Sequence, residues 1–174
     1  INGDLALREA HAAEVSALYG ATISAGEINI TAGCNQAYTA TMMALVRAGD
    51  NVLLPTPWYF NHEMTLTMLG VETRPLPCDP AAGFIPDVVE AERLIDTRTR
   101  AIVLVTPNNP TGAVYPPATI AAFAALCARR GNGAAHASPN PRDDVCPGRG
   151  ITRPACERCG RSARTILHHQ DRLR

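Results

Sequence analysis

The sequence predicts an α/β domain over residues 1–131, a parallel or mixed sheet with helices on its faces, followed by a tail of different character. Three observations predict it. Short strand-like segments alternate with helix-like ones, which implies crossover connections and a sheet covered on both faces. Ala101-Ile-Val-Leu-Val105 is an uninterrupted apolar run, the pattern of a strand buried on both sides. The turns that follow the strands carry the chain's most distinctive residues, where ligands bind in open sheets of this kind.

The elements follow in order. Leu5, Ala12, Val15 and Leu18 recur near helical spacing and stop at Gly20, predicting a first helix. Glu27-Ile-Asn-Ile-Thr31 alternates and is β-branched, so it reads as a strand. A turn at Gly33–Gln36 leads into a helix over Ala37–Ala48, closed by Gly49-Asp50. Asn51–Leu54 is the next strand, stopped by Pro55 and Pro57. Tyr59–Leu69 reads as a helix, Val71–Leu76 as a strand and Pro77–Phe84 as a loop. Pro86 suits the start of a helix over Asp87–Ile95. After the apolar strand, Pro107–Gly112 forms a rigid loop and Pro117–Arg130 a last helix.

Composition narrows the function classes. The 174 residues, 46% hydrophobic, suffice for one domain with a sizeable core. A formal net charge of zero gives no reason to expect nucleic acid or an anionic membrane as partner. No apolar run approaches the roughly 20 residues of a membrane span, and no signal-peptide pattern opens the chain, so a cytoplasmic location is expected. The six cysteines lack a framework spacing and are expected to be reduced thiols.

Every basic residue is Arg; the chain contains no lysine. Residues 1–131 carry 8 Arg against 12 Asp and Glu, whereas residues 132–174 carry 8 Arg against 4. Beyond Gly131 large aliphatics are sparse, and Pro, Gly and Arg fill most positions. Such a stretch buries too little apolar surface to offset its ordering entropy, so 132–174 is expected to be disordered. The abrupt loss of pattern and the charge reversal also suggest an out-of-frame reading of the gene. Cys156-Glu-Arg-Cys159, with Cys146 and His168-His169, offers one CxxC and no second clean pair, so no metal site is expected.

Three turns carry chemistry. Thr31-Ala-Gly-Cys-Asn-Gln-Ala37 joins a strand to a helix with small residues that let backbone N–H groups approach an anion. It could equally be an ordinary turn. Pro55-Thr-Pro-Trp-Tyr-Phe60 places three adjacent aromatics at a strand end, on one of which a planar heterocycle could stack. Core packing is the simpler account of at least two of them. Val105-Thr-Pro-Asn-Asn-Pro-Thr-Gly112 locks a loop with two prolines and holds Asn109 at the sheet's carboxyl edge, although either asparagine could serve an Asx-type turn.

The last string, followed by Ala-Val-Tyr-Pro, resembles the signature of class I/II aminotransferases of fold type I, and the other two turns keep that family's order and spacing. The likeness extends over residues 1 to about 130. It implies the incomplete large domain of a pyridoxal-phosphate (PLP) enzyme that transfers amino groups between amino acids and 2-oxo acids, as a homodimer, in amino acid metabolism. By resemblance, Gly33, Cys34 and Asn35 match the turn that binds the cofactor phosphate. Tyr59 matches the aromatic stacked on the pyridine ring, with Trp58 its less favoured neighbour. Asn109 matches the asparagine that hydrogen-bonds the cofactor's phenolic oxygen.

Two family requirements are unmet. The Schiff-base lysine has no counterpart, so no catalytic residue is assigned. The family's acidic partner for the pyridinium nitrogen sits in an Asp-x-x-Tyr setting that Asp143 and Asp144 do not share. The chain is therefore expected to be inactive by itself, to hold PLP non-covalently at best, and not to form the family's dimer. A non-catalytic remnant or binding module, or another fold-type-I reaction such as that of a lyase or synthase, are the alternatives.

Overall fold

The computed structural model describes residues 2–130 and the backbone of 133–138 and 165–168. Its helices are α1 (Leu5–Tyr19), α2 (Cys34–Leu45), α3 (Phe60–Met68), α4 (Val88–Leu94) and α5 (Pro117–Arg130). Its strands are β1 (Asn51–Pro55), β2 (Glu72–Leu76), β3 (Thr99–Val105), β4 (Gly133–Ser138) and β5 (Thr165–His168). All the strand pairs are parallel, in the order β2-β1-β3-β4-β5. The α/β expectation holds.

The sheet divides the core in two. Alternate side chains of a strand point to opposite faces. Val52, Leu54, Ala101 and Val103 accordingly join Tyr38 and Met42 of α2 and Leu66 of α3 on one face. Leu53, Ile102 and Leu104 join Ala91 of α4 and Phe123, Leu126 and Cys127 of α5 on the other. Burial on both faces explains why β1 and β3 read as continuous apolar runs. At Cys127 the same burial pushes the thiol pKa up to about 11.

Local chemistry sets the helix ends. The Asp4 carboxylate accepts from the Leu7 N–H at the start of α1, and Asp87 accepts from the Val89 N–H at the start of α4. Gly20 ends α1 in the left-handed conformation, φ 60°, with its N–H donating to the Ser16 carbonyl.

Two expectations need correction. Glu27–Thr31 is not a strand: a short 3₁₀ turn covers Ala25–Glu27, and Ile28 packs into a satellite cluster with Ala12 and Val15 of α1. The β-branched alternation is real, and the segment is tied back by the Ile30 N–H donating to the Asn2 carbonyl at 3.1 Å rather than by a strand ladder. Without a neighbouring strand, propensity does not make a strand. The tail read as lacking strands contributes two, β4 beside β3 and β5 beside β4. Gly133-Ala-Ala-His-Ala-Ser138 carries little β signal of its own, and its hydrogen bonds come from the ladder that β3 offers. The remainder of 132–174, with Cys146, Cys156, Cys159, Asp143 and Asp144, lies outside the described residues.

At the amino-terminal end of the sheet a polar network joins three strands. Asn51, fully buried at the start of β1, donates from Nδ2 to Asp96 Oδ1 at 2.9 Å and accepts from Thr99 Oγ1 at 2.8 Å. Arg74 of β2 reaches Asp96 Oδ2 at 2.8 Å. The Asp96 carboxyl is held below the usual carboxylate range, chiefly by the Asn51 amide and further by the Arg98 N–H and the Arg74 guanidinium. A depressed carboxyl pKa contributes stability above its unfolded value, roughly 4, and that stability is lost as pH falls through the folded value. Asn51→Ala leaves Thr99 and Asp96 without their buried partner and is expected to cost about 1–3 kcal/mol in urea unfolding at neutral pH. The loss of stability below about pH 4 should shrink in the same variant, because Asp96 is then less depressed.

Candidate cofactor site at the carboxyl edge

A pocket opens where β1 and β3 end, on the sheet face covered by α2 and α3. Leu54, Pro55, Val103 and Val105 form its floor, and Trp58, Tyr59, His62 and Asn108 its walls. The strand-to-helix turn after β1 therefore meets the proline loop after β3, the arrangement expected of a parallel sheet.

The proline loop is shaped by its own side chains. Asn108 is buried, and its Nδ2 donates to the Pro57 carbonyl at 3.2 Å and to Thr111 Oγ1 at 2.9 Å. Its backbone N–H donates to the Ala113 carbonyl at 2.8 Å, and its carbonyl accepts from the Gly112 N–H at 2.7 Å. Gly112 has φ 73°, a conformation that disfavours other residues. The Thr106 hydroxyl accepts from the Tyr115 N–H at 2.8 Å, drawing the segment after the loop back onto β3. Asn109, next in line, is exposed and leaves its side chain to solvent. The structural role left open for either asparagine falls to Asn108, which bonds through its amide donors to Pro57 and Thr111 rather than closing an Asx-type turn.

The aromatic turn differs from the core-packing expectation. Trp58 is half-buried and packs against the core cluster, with Nε1 donating to Glu63 Oε2 at 3.2 Å. Tyr59 is half-buried and lines the pocket, whereas Phe60 is 60% exposed. Only one of the three aromatics serves the core, because α3 begins at Phe60 and turns that side chain outward. Tyr59 accepts a hydrogen bond from Asn61 Nδ2 at 2.8 Å, and Phe60 stands edge-on to its ring at 4.9 Å.

The third turn begins α2. Gly33 is its cap, with φ 92°, and among the described residues no side chain caps the first turn. A Cβ at Gly33 would meet nothing, so the positive φ rather than space calls for glycine there. Cys34 is half-buried and Asn35 exposed. The Gln36 side chain folds back to accept from the Ala32 N–H at 2.6 Å, and Thr31 Oγ1 donates to the Gly33 carbonyl at 3.0 Å. The first-turn N–H groups are thus left for another acceptor, such as an anion. Tyr38, one turn further along α2, packs on His62 with ring centroids 4.3 Å apart, which brings the start of α2 beside the start of α3.

Of the residues singled out from sequence, Tyr59 lines the pocket; Gly33, Cys34, Asn35 and Asn109 surround this edge of the sheet without lining it. Sequence reasoning missed His62 and the wall-forming role of Asn108. His62 carried a signal in its position three residues past Tyr59, within the first turn of α3. Burial lowers the His62 pKa to about 4, so the imidazole is neutral at physiological pH. A depressed histidine contributes stability that is complete above the unfolded pKa, about 6.5, and lost as pH falls through the folded value. His62→Phe, which keeps a ring against Tyr38 but cannot titrate, is expected to flatten the fall in melting temperature between about pH 6.5 and pH 4.

The chain is similar to known proteins of one family. Residues 1–133 match the family model described as aminotransferase class I and II. The chain is 35% identical over 121 residues to the valine–pyruvate aminotransferase of Mycobacterium tuberculosis, covering 70% of this chain and 31% of that protein. It is 34% identical over 127 residues to the arginine–pyruvate transaminase of Pseudomonas aeruginosa, covering 73% and 32%. Among solved structures, a mutant aspartate aminotransferase of Thermus thermophilus superposes with a TM-score of 0.77 at 30% identity, covering 79% of this chain and 36% of that one. The chain therefore spans about a third of the length of the relatives it matches. With the family model matching well over half of it, the chain belongs to the class I and II aminotransferases.

Proposed function

We propose that residues 1–131 are the cofactor-binding part of a PLP-dependent aminotransferase that exchanges amino groups between an amino acid and a 2-oxo acid. One observation carries this: the pocket walled by Tyr59 and Asn108, beside the uncapped start of α2, lies at the carboxyl edge of the sheet in a chain of this family. The donor set fits a planar, phosphorylated ring. The N–H groups at Cys34 and Asn35 suit a phosphate dianion at a helix N-terminus, while the Gly33 N–H donates to the Thr31 carbonyl at 2.9 Å and shapes the turn before them. Tyr59 offers a ring face beside an apolar floor, and the exposed Asn109 amide offers a donor to a phenolic oxygen. Bound PLP would supply an electron-withdrawing ring for chemistry at the substrate's α-carbon. The chain's own residues would bind and orient it, with Leu54, Val103 and Val105 giving the pocket an apolar lining that excludes water.

No side-chain amine is available to hold the cofactor covalently or to carry the α-proton. That absence favours a second reading of this chain by itself, as a non-catalytic binding module; a lyase- or synthase-type parent is the remaining alternative. We place the parent enzyme in the cytoplasm, in amino acid metabolism, as a homodimer that this chain alone does not form. Borohydride reduction of the chain incubated with PLP, followed by peptide mass spectrometry, should yield no side-chain adduct. An adduct would mean that another amine substitutes for lysine.

We also propose that residues after about Gly131 are an out-of-frame reading. The charge reversal supports it, as does the end of the family match at residue 133. The DNA should then contain, in another frame beyond codon 131, a strand with Asp-x-x-Tyr and a later lysine. At His169-Gln170-Asp171 a one-nucleotide shift yields that lysine if Gln170 is encoded by CAA. A nucleotide sequence without both features in any frame overturns the proposal.

A further inference from the structure

We infer that Asn61 is a positioning residue that makes Tyr59 a directed hydrogen-bond donor toward the ligand as well as a stacking surface. The inference rests on the reading of the pocket as a site for PLP. Asn61 Nδ2 donates to the Tyr59 hydroxyl oxygen at 2.8 Å. A phenol both donates and accepts, so a hydroxyl whose oxygen already accepts keeps its own proton to give. Among the described residues no acceptor takes that proton.

The ring is also fenced. Phe60 meets it edge-on at 4.9 Å and 61°, and His62 meets it at 5.6 Å and 86°. Asn61 is on the first turn of α3, whose start is set by the end of β1, so the tether runs from a rigid helix rather than a loop. Swinging the hydroxyl elsewhere would break the Asn61 bond and both edge contacts. The ligand chemistry that matches is a flat ring bearing a substituent, such as a phosphate ester, whose oxygen acceptor leaves the ring plane and reaches the plane of the phenol. Such a substituent lets one side chain meet both the ring face and the group attached to it.

Trp58 is the chain's single tryptophan and lines the same pocket, so its fluorescence reports this site alone. The test is a double-mutant cycle on the full chain with Tyr59→Phe, Asn61→Ala and the pair, reading the PLP dissociation constant by quenching of Trp58. Asn61→Ser serves as a second removal of the amide, and circular dichroism melts check that each variant is folded. Each single substitution is expected to weaken binding about three- to tenfold, the worth of one hydrogen bond. The double variant should bind no more weakly than either single one, because both remove the same interaction. Without ligand, the Asn61 side-chain amide resonances should shift in Tyr59→Phe. Unchanged affinity in the single variants, or an Asn61→Ala effect that persists undiminished beside Tyr59→Phe, overturns the inference while leaving the cofactor reading intact. No quenching of the wild-type chain overturns the cofactor reading and the donor role with it, even if the amide resonances shift.

Discussion

The side-chain amide of Asn108 is the constraint on which the candidate site depends. A parallel sheet guarantees that the turns after β1 and β3 emerge at the same edge, but it does not fix one turn against the other. Asn108 does so from a buried position, reaching the Pro57 carbonyl in one turn and Thr111 in its own. Pro57 immediately precedes the aromatic pair Trp58-Tyr59, and Asn109 immediately follows Asn108. One amide therefore sets the spacing between the ring that would lie on a ligand and the donor that would meet its edge. Buried and out of reach of water, that amide has no cheap substitute for these bonds.

The polar network under the opposite edge has the complementary task. Asn51, Asp96, Thr99 and Arg74 hold β1, β2 and β3 at their starts, next to the register shift between Asn51 and Val52. With the strands pinned there and the loops clamped at the far end, the apolar residues between have one way to interdigitate. Tyr38 fills the core under α2 with its ring; its buried hydroxyl has no hydrogen-bond partner among the described residues, and burial raises its pKa.

Much of this was legible in the sequence where local chemistry and tertiary role agree. The helix predicted over Pro117–Arg130 is α5, and the apolar run at Ala101–Val105 is the heart of β3. Legibility failed where the deciding partner is distant in the chain. Ile28 and Ile30 look like strand residues, but they pack in a small cluster with Ala12 and Val15 of α1 and the Ala21 and Ile23 side chains that follow it. Gly133–Ser138 looks like nothing in particular until β3 lies beside it. Within the site, the aromatic cluster at a strand end marked the turn as unusual, but only the resemblance to the family singled out Tyr59 from it. Asn61 was not, because its importance lies in a bond to a residue whose orientation only the fold reveals. Asn108 was half-legible: its turn chemistry could be read from the prolines, but its reach across to Pro57 spans about fifty positions of chain.

The division of the core by the sheet has an evolutionary corollary. Pocket floor and helices α2 and α3 share one compartment; α4 and α5 share the other, and only strand backbone and alternating side chains lie between them. Repacking around Phe123 and Leu126 is felt first by α4, not by the pocket, since close-packed neighbours transmit strain by contact. Lineages of such a chain can therefore repack the α4 and α5 side, within the limits of a buried core, with less effect on the pocket than changes on the α2 and α3 side. Two rates of change in one small domain are the expected trace of that partition, written in alternate positions along the same strands.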